Sequence, residues 1–308
     1  MRLGVAGCGR IAERGYVPAA LATPEVEIVA FADPNGERLA RCRELWEDGG
    51  GPAAAYDDVA ALVEQEQIDL LVVATPADTH LAVSEAAAAA GLRSLVEKPP
   101  ATDLREAQRL AALEPEPLLA FNRRFLQGLE LQSSIPEEGW LELDLKLRFR
   151  QSAWSAHEVR DEALLDAGIH LVDLAAHLSA AEPISVQRAS VQPQQASFEL
   201  QLGRARARVS CSTDARHREL VEVRDRAGKL LARSAWGGIR SRLAGALGRP
   251  DPLVLSLQRQ LEAATEHHRL LATGRDGAIA MAVVEAVRRS AELDGAEVTV
   301  DLATRAGR

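Results

Sequence analysis

Cysteine is scarce in this chain. Three cysteines among 308 residues, at positions 8, 42 and 211, are too few and too far apart for a disulfide framework or a zinc motif. They imply a reducing compartment. Long apolar runs are missing too, and none approaches the ~20 residues that a membrane span needs. Residues 1–7 are apolar, but glycines interrupt them and they are shorter than a signal-peptide core. A cytoplasmic location without a membrane partner is therefore expected. Positive charge is in deficit: 36 Lys and Arg against 45 Asp and Glu leave a net charge of -9, which argues against wholesale nucleic-acid binding. No internal repeat is present. What remains, 47% hydrophobic and 26% charged, is typical of a globular protein, and the length suits one large or two ordinary domains.

Residues 1–121 alternate strand and helix, the pattern of a doubly wound parallel sheet. Strands are expected at 2–6, 26–32, 70–74, 93–96 and 118–121. The run 70–74 is wholly apolar, as in a strand buried on both faces. Helices are expected at 11–21, 34–46, from Asp57 or Asp58 to about 65, at 79–90, and from Thr102 or Asp103 to 113. Gly91 is placed to cap the fourth, and Pro115 and Pro117 stop the fifth. The domain boundary is set after Phe121, which leaves 122–308 as a second, α+β domain. There, Leu141, Leu143, Leu145, Leu147 and Phe149 alternate with polar residues, the period of a half-buried strand. Further strands are expected at 186–191, 198–202, 205–211, 220–223 and 229–232. They form a large, mostly antiparallel open sheet packed against a helix at 164–178. Helices at 253–272 and 277–293 follow and can pack back on the first domain. Residues 237–250 are the candidate mobile loop.

Gly7-Cys8-Gly9-Arg10-Ile11-Ala12 fits G-x-G-x-x-A between a strand and a helix. Gly7 permits the tight turn, Gly9 lets backbone approach a pyrophosphate, and Ala12 lets helix and strand pack closely. Arg10 and Ile11 open the helix whose N-terminus faces the phosphates. Asp33 ends the second strand about 20 residues on, where an acid accepts from the ribose hydroxyls. A 2′-phosphate would meet that carboxylate, which favours NAD; Arg10 can offset the repulsion, which keeps NADP open. Ala74-Thr75-Pro76 ends the third of these strands at the same sheet edge, with His80 just beyond. These groups can flank the cofactor; the plainer reading is strand-to-helix turn chemistry with Thr79 as N-cap, and for His80 the two readings stand even. Glu97-Lys98-Pro99 ends the next strand. A lysine there can touch both a nicotinamide ring and a substrate oxygen, while Glu97 and Pro99 set the backbone.

In this order and spacing, these segments resemble the glucose–fructose oxidoreductase / inositol dehydrogenase family (Gfo/Idh/MocA). Phe121-Asn122-Arg123-Arg124-Phe125 resembles the family's domain junction. Asp166-Ala167-Gly168-Ile169-His170-Leu171-Val172-Asp173 resembles its catalytic D-x-G-x-H-x-x-D helix. The resemblance covers residues 3 to about 180; beyond that only the strand-rich pattern and the returning helices agree. It implies that Lys98 lies between nicotinamide and substrate and polarises or protonates the reacting oxygen. His170 is implied as the general acid/base, and Asp166 as the group that orients it. The residue chemistry agrees. Asp166 and His170 share a helix face at i, i+4, histidine titrates nearest neutrality, and a lysine beside a cationic ring has its pKa pushed down.

Asp173 and His177 extend the same face, but four groups in line cannot surround one ion, so no metal is expected. Asp173, Arg124, Arg150 and Trp154 are candidate substrate contacts; solvated arginines on a polar face are the plainer reading. Arg204, Arg206 and Arg208 alternate as on an exposed sheet face and receive no chemistry. The expected activity is hydride transfer between nicotinamide and a secondary alcohol or ketone of a sugar, cyclitol or nucleotide-sugar-like small molecule. Two alternatives stand beside it. One is an enzyme with tightly held NAD that performs net elimination, epimerisation or glycoside hydrolysis. The other is a cofactor-binding protein without activity. The resemblance also implies a homodimer or homotetramer formed through the second domain's sheet.

Overall fold

The structure, a computed structural model, describes residues 1–151, 162–237, 251–266 and 268–302. Contacts divide the chain into two units: Met1–Phe125 with Pro250–Ala278, and Leu126–Arg249 with Ile279–Arg308. Trp154 and residues 238–250 lie outside the described residues.

The first unit holds six parallel strands: β1 (Arg2–Ala6), β2 (Glu27–Ala32), β3 (Ala54–Tyr56), β4 (Leu70–Val73), β5 (Ser94–Val96) and β6 (Leu118–Leu119). Their order is β3-β2-β1-β4-β5-β6, and Ala272–Thr273 adds an antiparallel edge to β6. The chain reverses its direction of strand addition between β1 and β4. Doubly wound sheets bind ligands beyond the carboxyl ends of the strands at such a point. All four residues of β4 are buried, which is why this strand is continuously apolar. The helix starts are chemically specified. Asn35 accepts the N–H groups of Glu37 and Arg38, Asp58 that of Ala61, and Asp103 that of Glu106. Thr79 does not cap in this way; its hydroxyl donates to Pro76 O at 2.7 Å. Gly91, at φ +71°, turns the chain after the helix His80–Ala89.

The helix Pro252–Thr265 returns to this unit. Leu257 and Leu261 are fully buried with Leu3, Val5, Tyr16, Val17, Ile28 and Val72, an i, i+4 apolar stripe finding its core. Gln260 Nε2 donates to Leu119 O at 3.2 Å and Arg259 to Phe125 O at 3.0 Å. The helix was expected to run to residue 272. It ends at Thr265, and Asp276 accepts the Thr273 N–H at 2.8 Å where the chain enters the next helix, Gly274–Glu292.

The second unit is built on β7 (Leu141–Arg150), β8 (Pro183–Gln192), β9 (Gln195–Leu202), β10 (Ala205–Ser212), β11 (Asp214–Asp225) and β12 (Leu230–Gly237). Their order is β12-β11-β7-β10-β9-β8, with Val298–Thr299 beyond β8. The β7/β10 pair is parallel, and the other pairs are antiparallel. Leu141, Leu143, Leu145 and Leu147 face the core and Phe149 is half-buried. The helix Ile169–Ser179 packs on β7 and β10. Cys8, Cys42 and Cys211 are free and buried. Among the described residues, no helix is long and apolar enough to cross a membrane.

Candidate active site

In the first unit, the turn after β1 is shaped by one glycine and left open by another. Gly7 has φ +93°, and a Cβ there would lie 2.5 Å from Ala74 O, so β4's end forbids any side chain. A Cβ on Gly9 would meet nothing within 4 Å. Arg10 and Ile11 are half-buried where the helix opens, and Ala12 is fully buried. Asp33 is 7% exposed. Its Oδ2 accepts the Cys8 N–H at 2.8 Å and its Oδ1 the Asn35 N–H at 2.8 Å. Each oxygen keeps a further lone pair, so the carboxylate is held in place without being used up.

Ala74 and Thr75 are half-buried and Pro76 is exposed beyond β4. His80 is 1% exposed, with Nδ1 3.0 Å from Pro99 O and Nε2 2.8 Å from Thr75 O. It therefore ties the end of β4 to the end of β5. Burial lowers its pKa, against the carbonyls that favour the charged ring. Lys98 is half-buried, and its peptide bond to Pro99 is cis. Glu97 is buried. Its Oε1 accepts from the Tyr16 hydroxyl at 2.9 Å and its Oε2 from the Lys98 N–H at 3.1 Å. Burial raises the Glu97 pKa, opposed by the Lys98 ammonium and these hydrogen bonds. Burial, and then the Glu97 charge, pushes the Tyr16 hydroxyl well above its usual range, so it stays a donor. Arg124 is turned inward, its Nη2 3.3 Å from Asp276 Oδ2 and its Nη1 3.5 Å from Leu270 O.

In the second unit, Asp166 lies in a π-helical turn, Leu164–Gly168, that leads into Ile169–Ser179. Its Oδ2 accepts from Gln151 Nε2 at 2.9 Å. His170 and Asp173 are buried on the helix. Arg150 is exposed at the end of β7, opposite Asp214. Arg206 and Arg208 are exposed, while Arg204 binds the carbonyls of Ser179, Gly139 and Pro136. Tyr16 and Gln151 escaped the sequence reading. Neither sits in a motif; what marks them is a bond to a motif residue far away or in another element.

The sheet order and the glycine turn define a dinucleotide-binding doubly wound unit. Residues 1–118 match the family model GFO_IDH_MocA, an oxidoreductase family with an NAD-binding Rossmann fold. The match covers 118 of the 308 residues, so the similarity to the Gfo/Idh/MocA family is carried by this first part of the chain. It is 36% identical over 126 residues to a dTDP-3,4-didehydro-2,6-dideoxy-alpha-D-glucose 3-reductase of Actinomadura kijaniata, covering 41% of this chain and 36% of that protein. It is 28% identical over 203 residues to a UDP-N-acetylglucosamine 3-dehydrogenase of Acidithiobacillus ferrooxidans, covering 62% and 58%. The chain thus matches between a third and three fifths of the length of these curated relatives. The fold is similar to that of the scyllo-inositol dehydrogenase of Lactobacillus casei solved with NAD(H) and scyllo-inositol. The TM-score is 0.74 at 16% identity, covering 97% of this chain and 99% of that one.

Proposed function

We propose that this protein is an NAD-dependent oxidoreductase acting on a secondary alcohol or ketone of a sugar, cyclitol or nucleotide-sugar-like substrate. The observation that carries the reading is the company Lys98 keeps. The glycine turn, the Asp33 carboxylate and Lys98 follow β1, β2 and β5, all at the carboxyl edge of one parallel sheet. The residues fit a dinucleotide: a Cβ at Gly9 would fill the space a pyrophosphate needs, and Asp33 has lone pairs left for ribose hydroxyls. Arg10, Ile11 and the backbone of Ala74, Thr75 and Pro76 would hold the rest, with His80 bracing them. When bound, nicotinamide supplies or accepts the hydride. Lys98 polarises the reacting oxygen, and His170, oriented by Asp166, exchanges its proton. Asp173, Arg124, Arg150 and Trp154 remain the candidates for substrate contact, Arg124 being also paired with Asp276.

The relatives' sugar-nucleotide and inositol substrates support the substrate class, and the buried thiols fit a reducing cytoplasm. The second unit's open sheet is the proposed face of a homodimer or homotetramer. A thermal-shift and turnover screen of sugars, nucleotide sugars, inositols and amino sugars with NAD and NADP tests the reading. A cofactor-induced rise in melting temperature and turnover with one polyol class are expected, and absence of any cofactor shift contradicts it.

A further inference from the structure

Tyr16 is one of two tyrosines in the chain, and it is completely buried. Its hydroxyl spans 81 residues of sequence to reach Glu97. Phenylalanine would fill the same volume without burying a polar group and without asking a buried carboxylate for company. Packing alone therefore does not account for the hydroxyl. The backbone that delivers it is also unusual. Ala12–Tyr16 is a π-helical turn, closed by the Val17 N–H on Ala12 O, and it begins on the last residue of the glycine fingerprint. Such turns insert one residue into a helix and re-aim the side chains around it, often at functional sites. Here one short turn starts at Ala12 and ends at Tyr16, whose hydroxyl is bonded to Glu97. Glu97 in turn holds the Lys98 N–H with its other oxygen.

We propose that Tyr16 is a positioning residue for Lys98, acting through the Glu97 carboxylate. This rests on the reading of Lys98 as the residue at the reacting oxygen. Without the hydroxyl, Glu97 Oε1 loses its partner in a buried place. The carboxylate must then take a proton or turn toward the neighbouring ammonium, and either changes the charge and geometry that Lys98 meets.

The chain has three lysines, Lys98, Lys146 and Lys229. Reductive 13C-methylation therefore gives few lysine NMR signals, assignable with single Lys→Arg variants. In the full-length Tyr16→Phe protein the Lys98 signal is expected to move while those of Lys146 and Lys229 stay. The dissociation constant for NAD should hold within about twofold, and kcat should fall about tenfold or more with KM little changed. An unmoved Lys98 signal in a folded variant overturns the proposal, even if the melting temperature drops, because Tyr16 is then a packing residue only. Should Tyr16→Phe fail to fold, Glu97→Gln keeps the size and removes the charge; an unmoved Lys98 signal there overturns it equally. Failure of the wild type to bind NAD or to turn over any polyol would defeat the functional reading instead, while the Lys98 signal still decides the positioning role.

Discussion

Glu97 and Lys98 are neighbours of opposite charge, and burial treats them differently. Glu97 is enclosed and Lys98 half-exposed. Burial raises the Glu97 pKa more than the ammonium and the hydrogen bonds lower it. The sign for stability follows. As pH rises above the ordinary carboxylate range, the unfolded chain loses this proton first and the folded chain still holds it. Stability therefore falls as pH rises through that window, until the folded form ionises as well. Glu97→Gln removes the effect. Its denaturation midpoint, compared with wild type at each pH, should improve from mild acid to neutrality; a difference that stays constant with pH would contradict the assignment. Gly7, Gly9, Asp33, Lys98, Asp166 and His170 could be put forward from the sequence because each belongs to a local pattern. Tyr16 and Gln151 were not, because their meaning lies in bonds to Glu97 and Asp166 that form only once the chain has folded.

At the level of elements, what repeats could be read and what does not repeat could not. β4 is a four-residue apolar run and β7 alternates for most of its length, so both were visible. β3, Ala272–Thr273 and Val298–Thr299 have two or three residues each, too few for any periodicity, and sheet neighbours create them. The π turns at Ala12–Tyr16 and Leu164–Gly168 sit inside stretches that read as ordinary helix. The glycine turn offers a paired test. Gly7→Ala places a Cβ against Ala74 O at positive φ and should cost ~1–3 kcal/mol in a denaturant melt. Gly9→Ala meets nothing, so stability should stay within about 0.5 kcal/mol. Its effect should appear instead as weaker NAD binding by fluorescence titration. Equal stability losses for the two variants would count against this account of the turn.

For the molecule as a whole, the first unit is discontinuous in sequence: the helix Pro252–Thr265 lies more than a hundred residues beyond Phe125 and supplies part of its core. Leu257 is completely buried there, so Leu257→Ala should cost ~2–5 kcal/mol, read as a lower denaturation midpoint. A loss near zero would mean that the returning helix is not part of that core. The helix itself could be seen in the sequence, but its destination is a matter of long-range packing that no local pattern records. The central claim concerns chemistry, and Lys98→Met tests it most directly. With the best substrate of the screen, and NAD binding measured alongside, the variant should bind NAD nearly as wild type does. Its rate of reduced-nicotinamide formation should fall by ~10²–10⁴. Turnover close to wild type, or loss of NAD binding together with activity, would contradict the place given to Lys98.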